Sequence, residues 1–183
     1  MRLFTGIEIA PDVMANLQGL LERLRPTAEI NWSPPQNLHI TTKFIGEWPE
    51  ERLSELKAAL DSLPAREPIS IVIEKVGFFP NPHSPRVCWT GVHAGSGLTG
   101  LAREIDDVLA ALGVARETRE YSPHLTLARI KTPKRLPALL QAVASLPSLE
   151  FGTFTADRFY LYHSRTAPTG SVYTKLSEFS FSK

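Results

Sequence analysis

Alternating apolar and polar positions, and longer stretches with helical spacing, divide the chain into strands and helices in mixed order. Strand patterns cover residues 3–9, 37–46, 69–76, 87–92 and 122–130. Helical spacing of apolar residues covers 11–24, 50–63, 98–112 and 134–146. Two further strands, 158–162 and 172–181, are predicted to form a hairpin around 167–170. The order β-α-β-α-β, then β-α-β-α-β-β, predicts an α+β fold with a weak internal duplication.

One short motif occurs in both halves of the chain, as His39-Ile-Thr41 and as His124-Leu-Thr126. Side chains on a strand alternate between its faces, so each His shares a face with the Thr two residues later. The intervening positions are predicted to be buried: Leu38, Ile40, Thr42 and Phe44 in the first strand, Leu125 and Leu127 in the second. Two α+β lobes packed sheet against sheet would bring both motifs to opposite sides of one cleft.

Two histidines across a cleft suit a reaction that needs a base and an acid at the same time. In-line displacement at phosphorus is such a reaction, because one imidazole can activate the entering oxygen while the other protonates the departing oxygen. The hydroxyls of Thr41 and Thr126 could donate hydrogen bonds to the non-bridging oxygens. The alternative is that both histidines are partly exposed strand residues without a catalytic role.

Two cationic residues lie in the same strands. Strict alternation puts Lys43 on the His39 face, where its charge would lie near a phosphate. Arg129 falls on the face opposite His124, so it can bind phosphate only if the strand ends or bulges after Leu127. Aromatic residues in or beside the flanking loops could stack on a nucleobase or could pack in the core: Trp32, Phe78, Phe79 and Tyr121.

Composition limits the class of protein. A chain of 183 residues can form one domain or two small lobes with a common core. Its net charge of +1 argues against an extended polyanion as partner, although one or two phosphates remain possible ligands. The single Cys88 excludes an internal disulfide, and no segment has the pattern of a membrane span or signal peptide. We expect a cytoplasmic monomer.

Other kinds of site have weaker support in the sequence. The five histidines of the chain do not have metal-ligand spacing, so we expect neither a metal nor another cofactor. These histidines are His39, His83, His93, His124 and His163. The glycine-containing turn at 95–100 could hold an anion with its amides, but it lacks the Lys of a P-loop and can simply begin a helix. No Gly-x-Ser-x-Gly sequence supports a Ser-His-Asp triad.

The two motifs and their flanks resemble the two-histidine phosphoesterase superfamily. The resemblance runs through Asn-Leu-His-Ile-Thr-Thr-Lys-Phe-Ile-Gly at 37–46, Ser-Pro-His-Leu-Thr-Leu-Ala-Arg at 122–129, and Leu-Tyr-His-Ser and Gly-Ser-Val-Tyr near the end. The flanking residues are most similar to bacterial and archaeal RNA 2′,3′-cyclic phosphodiesterases, also called 2′-5′ RNA ligases. This resemblance implies one bilobal duplicated domain over 1–183, with two antiparallel sheets facing a central cleft and helices outside.

The resemblance also implies a reaction. A terminal 2′,3′-cyclic phosphate of RNA would be opened to a 2′-phosphate without a metal. His39 would be the proton donor to the leaving 3′ oxygen, and His124 the acceptor that activates water. Joining of 2′-5′ ends would be the same chemistry in reverse. Two alternatives remain: a related phosphoesterase acting on small cyclic nucleotides or 2′-5′ oligonucleotides, and a module that binds RNA ends without turnover.

Overall fold

The computed structural model describes all 183 residues and contains nine strands and four α-helices. The strands are Arg2–Glu8 (β1), Asn31–Trp32 (β2), His39–Glu47 (β3), Ile69–Phe79 (β4), Val87–His93 (β5), His124–Arg129 (β6), Glu150–Ala156 (β7), Arg158–Ala167 (β8) and Gly170–Ser180 (β9). The helices are Pro11–Leu24 (α1), Leu53–Asp61 (α2), Gly95–Ala110 (α3) and Pro137–Ala144 (α4).

The strands form two sheets, and every pairing is antiparallel. One sheet has the order β3-β1-β8-β9 and the other has the order β2-β6-β5-β4-β7. The two His-x-Thr motifs therefore belong to different sheets, and their strands β3 and β6 are in contact where the sheets meet. The α+β fold with two antiparallel sheets is confirmed.

The helices cover the faces of the sheets that point away from the cleft. Helix α1 packs against β7 and α4, while α3 packs against β3 and α2. The sequence explains α1: Pro11 occupies its first turn, and its buried side chains recur at helical spacing. One cluster of 37 buried residues includes apolar side chains from both sheets and from all four helices. None of the helices is long and apolar enough to cross a membrane.

Several predicted boundaries were wrong. Residues 77–79, predicted as loop, continue β4 because they pair with β5, with Gly77 opposite Trp89. Residues 50–52 form a 3-10 turn before α2, and α4 is shorter than the predicted helix over 134–146. The short strand β2 and the separate strand β7 were not predicted. The first has only two residues, and the second is recognised only through its pairing with β4.

A bulge in β3 changes which side chains face the cleft. Thr41 pairs with Gly6 and Lys43 pairs with Thr5, so the intervening Thr42 is an extra residue. Lys43 therefore points to the same side as Thr5, which is completely buried, and Phe44 points to the cleft side. Strict alternation had predicted the reverse, and both predictions were wrong.

A corresponding bulge occurs in β6. Thr126 pairs with Trp89 and Ala128 pairs with Cys88, which leaves Leu127 as the extra residue. Arg129 then pairs with Val87, on the same face of the sheet as Trp89. The bulge on which the prediction for Arg129 depended is present, and it turns this side chain toward the cleft.

Candidate active site

His39 is held at the start of β3 by its own chain. Its Nδ1 lies 2.6 Å from the carbonyl oxygen of Asn37, and its Nε2 lies 2.9 Å from Oγ1 of Thr41. A carbonyl can only accept, so Nδ1 carries the proton of that hydrogen bond. Nε2 is thus the nitrogen that remains available to exchange a proton, with the Thr41 hydroxyl beside it.

His124 is held in the same way at the start of β6. Its Nδ1 donates to the carbonyl oxygen of Ser122 at 2.9 Å, so Nε2 is again the nitrogen left for chemistry. Its ring lies nearly perpendicular to that of Phe79, at a centroid distance of 5.4 Å. In both motifs, the backbone carbonyl two residues before the histidine fixes the tautomer and the orientation of the ring.

Aromatic side chains surround the imidazole of His39. Its ring centroid lies 4.7 Å from that of Phe4, 5.8 Å from Tyr162 and 5.2 Å from Tyr173. Burial among these rings is the main reason that the pKa of His39 is lowered from 6.5 to about 4, and the hydrogen bond to Asn37 only partly opposes it. The positive charge of Arg129 lowers the pKa further. His39 is therefore neutral at neutral pH in the free protein.

A glycine pairs with a residue of each motif, at a point where neighbouring backbone approaches too closely for a Cβ. Gly6 pairs with Thr41, and a Cβ at Gly6 would lie 2.8 Å from the carbonyl oxygen of Ile40. Gly91 pairs with His124, and a Cβ there would lie 2.7 Å from the carbonyl oxygen of Glu74. A side chain at either glycine would collide with the backbone of the neighbouring strand, β3 for Gly6 and β4 for Gly91.

Tyr121 joins the two motifs. Its hydroxyl donates to the carbonyl oxygen of Thr41 at 2.8 Å, although it lies three residues before His124. Burial raises the pKa of this phenol well above its ordinary value. The hydroxyl is committed to this contact between the lobes, and the stacking role of the ring stays a prediction.

Lys43 does not point toward the cleft. Its Nζ donates to Oδ1 of Asp106 at 2.7 Å, to the carbonyl oxygen of Ala115 at 2.7 Å and to Oε1 of Glu117 at 3.2 Å. Burial opposes ionisation of Asp106, but hydrogen bonds from Lys43 and from the Glu117 amide hold the pKa of this carboxyl below its usual range. Lys43 thus ties β3 to α3 and to the segment leading to His124. The prediction that its charge lies near the phosphate was wrong.

The remaining aromatic candidates separate into two groups. Phe79 lies at the cleft, because its ring contacts that of His124. The centroid of the same ring is 5.0 Å from that of Trp89, and the Trp89 ring covers Gly77. Trp32 instead pairs with the buried Ala128, packs against the core and donates its Nε1 to the carbonyl oxygen of Ala28. The structure places Trp32 away from the cleft.

The sequence patterns did not identify several residues that line the cleft. Phe4, Tyr162 and Tyr173 set the environment of His39, and Phe44 presents an exposed ring, 62% accessible, on the same face. Phe44 lies five residues after His39, as Arg129 lies five residues after His124. A search for equivalent positions in the two halves would have drawn attention to it.

Comparison with known proteins identifies the family. The model of the LigT-like phosphoesterase family matches residues 7–89 and 92–173, and each match contains one His-x-Thr motif. The chain belongs to the LigT-like phosphoesterase family. Across 98% of its length it is 34% identical to the RNA 2′,3′-cyclic phosphodiesterase of Archaeoglobus fulgidus, of which 99% is matched. Across 97% it is 35% identical to the protein of that name from Methanocaldococcus jannaschii, of which 99% is matched.

A solved structure agrees with the fold. The crystal structure of the Thermus thermophilus protein TT0787 superposes with a TM-score of 0.82 at 31% identity, covering 99% of this chain and 98% of that chain. No group of three or more His, Cys, Asp or Glu side chains in the protein is arranged to hold a metal ion. The polar groups that strands β3 and β6 bring to the cleft face are the imidazoles of His39 and His124, the hydroxyls of Thr41 and Thr126 and the guanidinium of Arg129.

Proposed function

We propose that this LigT-like phosphoesterase hydrolyses the terminal 2′,3′-cyclic phosphate of RNA to a 2′-phosphate. The observation that carries the proposal is the repeated constellation in which Nδ1 of a histidine is fixed by a carbonyl and Nε2 is left beside the cleft. The names of the archaeal relatives, which match almost the whole chain, support this choice of substrate.

Each of the two imidazoles carries out one proton transfer. Nε2 of His124 accepts a proton from water as the water oxygen attacks phosphorus. The bond from phosphorus to the 3′ oxygen then breaks, and Nε2 of His39 donates a proton to that oxygen, so one proton enters and one leaves the enzyme. The hydroxyls of Thr41 and Thr126 and the guanidinium of Arg129 stabilise the charge that grows on the non-bridging oxygens.

His39 must acquire its proton when substrate binds. In the free protein its pKa of about 4 leaves it neutral, and Arg129 contributes to that low pKa. A bound phosphate carries negative charge, so it favours the imidazolium and at the same time offsets the charge of Arg129. The acid is therefore charged mainly in the complex. In the reverse of this step the 3′-hydroxyl of the product attacks phosphorus and water leaves, so the neutral form of His39 would accept the hydroxyl proton and the protonated His124 would donate to the departing water. A 5′-hydroxyl of RNA that attacked the cyclic phosphate in place of water would give up its proton to His124, displace the 3′ oxygen and form a 2′-5′ bond.

Two aromatic rings are suited to hold the bases. Phe44 is exposed on the cleft face of β3, and Phe79 lies at the cleft beside His124. Stacking of a base on an aromatic ring contributes about 1–3 kcal/mol and tolerates any base. We assign these rings, and not Trp32, to the terminal nucleotides.

The decisive experiment removes the need for the acid. With RNA ending in a cyclic phosphate, His39→Ala and His124→Ala should both lose most turnover. With a phosphodiester whose leaving group is a nitrophenolate, the departing oxygen needs no proton, so His39→Ala should recover much of its rate while His124→Ala should not. Rescue of His124→Ala alone would exchange the two roles. Equal rescue of both variants, or of neither, would contradict a dedicated acid.

Substrate comparison and chelation complete the test. The wild-type protein should open cyclic-phosphate RNA ends faster than it acts on small cyclic nucleotides or 2′-5′ oligonucleotides, and a reversed order would favour those substrates. Binding of RNA ends with no turnover would instead indicate a binding module. Activity should be unchanged after exhaustive chelation. A large loss that zinc or manganese restores would contradict the mechanism, because the proposed proton transfers need only the two histidines.

A further inference from the structure

The small net charge of the protein conceals an uneven distribution. Residues 121–149 contain four cationic side chains and no Asp or Glu, whereas the rest of the chain has 16 Lys and Arg against 19 Asp and Glu. The four cations are Arg129, Lys131, Lys134 and Arg135, and all four are exposed. They follow one another directly after the His124 motif.

A fifth cation joins this segment through the backbone. The amide of Ile130 donates to the carbonyl oxygen of Arg86 at 2.8 Å, so the exposed Arg86 lies beside Arg129 and Lys131. We call Arg86, Arg129, Lys131, Lys134 and Arg135 the basic edge. The nearby segment that leads into β2, itself paired with β6, contains one exposed carboxylate, Glu29.

The cations of the basic edge are free of carboxylate partners. Elsewhere, cationic side chains form ion pairs with acidic side chains: Lys43, Arg52, Arg66, Arg116, Arg158 and Lys175. No member of the basic edge lies within salt-bridge distance of a carboxylate. Their charge is therefore available to an anion from solution.

The basic edge is continuous with the cleft. Arg129 is close enough to His39 to lower the pKa of that imidazole. Arg86 connects the basic edge to the second histidine. Its amide donates to the carbonyl oxygen of Phe79, and the ring of Phe79 contacts His124. A path therefore leads from the two histidines, past Arg129 and Phe79, to the lysines beyond the end of β6.

We propose that the basic edge binds the sugar–phosphate backbone of single-stranded RNA on the 5′ side of its cyclic-phosphate end. This inference rests on the proposed function, since it extends the same substrate outward from the histidines. Five cations in two short segments suit two to four successive phosphates of one strand, which is compatible with the small net charge. The site then favours an oligonucleotide over a cyclic mononucleotide, because only the oligonucleotide reaches these side chains.

Salt dependence tests the proposal. For a single strand, the logarithm of affinity falls with the logarithm of salt concentration with a slope of about −0.7 per phosphate contact. The double variant Lys131→Gln/Lys134→Gln should raise KM for a short single-stranded RNA with a cyclic-phosphate end, and it should reduce the magnitude of that slope by about 1.4. Its kcat and KM for a cyclic mononucleotide should stay at wild-type values, which also shows that the variant is folded.

A matched control separates local from general charge effects. The variant Lys57→Gln/Arg103→Gln removes two unpaired cations from the outer helices α2 and α3. It should leave the salt slope nearly unchanged. Equal slopes in both double variants, or a wild-type slope that is the same for oligonucleotide and mononucleotide, would overturn the basic edge as an RNA path and leave the proposed reaction intact. Absence of turnover on every cyclic phosphate would instead contradict the proposed function itself.

Discussion

The hydroxyl of Tyr121 donates to the main-chain carbonyl of Thr41 at 2.8 Å and so connects the segment before His124 to the strand that carries His39. This hydrogen bond joins the two halves of the cleft next to the two His-x-Thr motifs. Lys43, two residues after Thr41 in β3, makes a second connection of this kind, because its Nζ donates to the carbonyl oxygen of Ala115. The relative position of the two histidines therefore depends on contacts that neither motif makes by itself.

The Tyr121 contact predicts the effect of removing one hydroxyl. Tyr121→Phe leaves the partly buried Thr41 carbonyl without this donor, which should lower the free energy of unfolding by about 1 kcal/mol. Because the two imidazoles then shift only slightly relative to each other, kcat should fall more than KM rises. Denaturant unfolding and steady-state kinetics measure both effects. Tyr160→Phe is the control, since the Tyr160 hydroxyl makes no hydrogen bond within the protein. Equal kinetics for the two variants would show that the contact does not position the site.

Lys43 should behave as a structural residue. Its side chain is 2% exposed and ion-paired with Asp106, so Lys43→Met should destabilise the protein by about 3 kcal/mol. The double variant Lys43→Met/Asp106→Leu should recover part of this loss, because no unpaired charge is left buried. Thermal unfolding gives both values. If Lys43→Met had wild-type stability but a strongly raised KM, Lys43 would bind the phosphate of the substrate and would not be a structural residue.

The threonine hydroxyls should act on the chemical step. Thr41→Val and Thr126→Val keep the shape of the side chain and remove its donor, so kcat should fall by about 10² to 10³ with little change in KM. Thr155→Val, on the exposed side of β7, serves as the control. Wild-type turnover in both cleft variants would mean that the hydroxyls are structural.

The ionisation of His39 should differ between the free and bound protein. Its imidazole should titrate near pH 4 in the free protein, because burial among aromatic rings disfavours the charged form. A bound 2′-phosphate product should raise that pKa. Histidine resonances followed by NMR across pH, with and without product, measure both values. Titration of free His39 near 6.5 would contradict the burial argument, and no change on binding would contradict its role as acid.

The same shift predicts how stability depends on pH. The pKa of His39 is lower in the folded protein than the ordinary value of 6.5 expected in the unfolded chain. Above pH 6.5 the residue is neutral in both states. As pH falls from 6.5 to about 4, the unfolded state binds a proton that the folded state does not, so the free energy of unfolding should drop by about 3 kcal/mol. Comparison of wild type with His39→Gln by denaturant unfolding isolates this contribution, and parallel curves for the two proteins would exclude it.

Features that depend on neighbours in sequence could be predicted from the sequence. Helix α1 follows from Pro11 and from apolar spacing, and the C-terminal hairpin follows from two strand patterns around a turn. The His39 and His124 motifs were recognisable because a period of two places each histidine beside its threonine. The carbonyl that orients each ring is also local, only two residues away.

Features that depend on register and on contacts between lobes were decided by the tertiary structure. The bulges at Thr42 and Leu127 arise from pairing with neighbouring strands, and they turn Lys43 inward and Phe44 and Arg129 toward the cleft. No alternating pattern contains that information, because one extra residue reverses every later position in the strand. The low pKa of His39 likewise comes from residues far apart in sequence, since desolvation depends on which rings the fold packs around the imidazole. The sequence determined which groups are available for chemistry, and the packing of the two sheets determined which of them meet and in what state of charge.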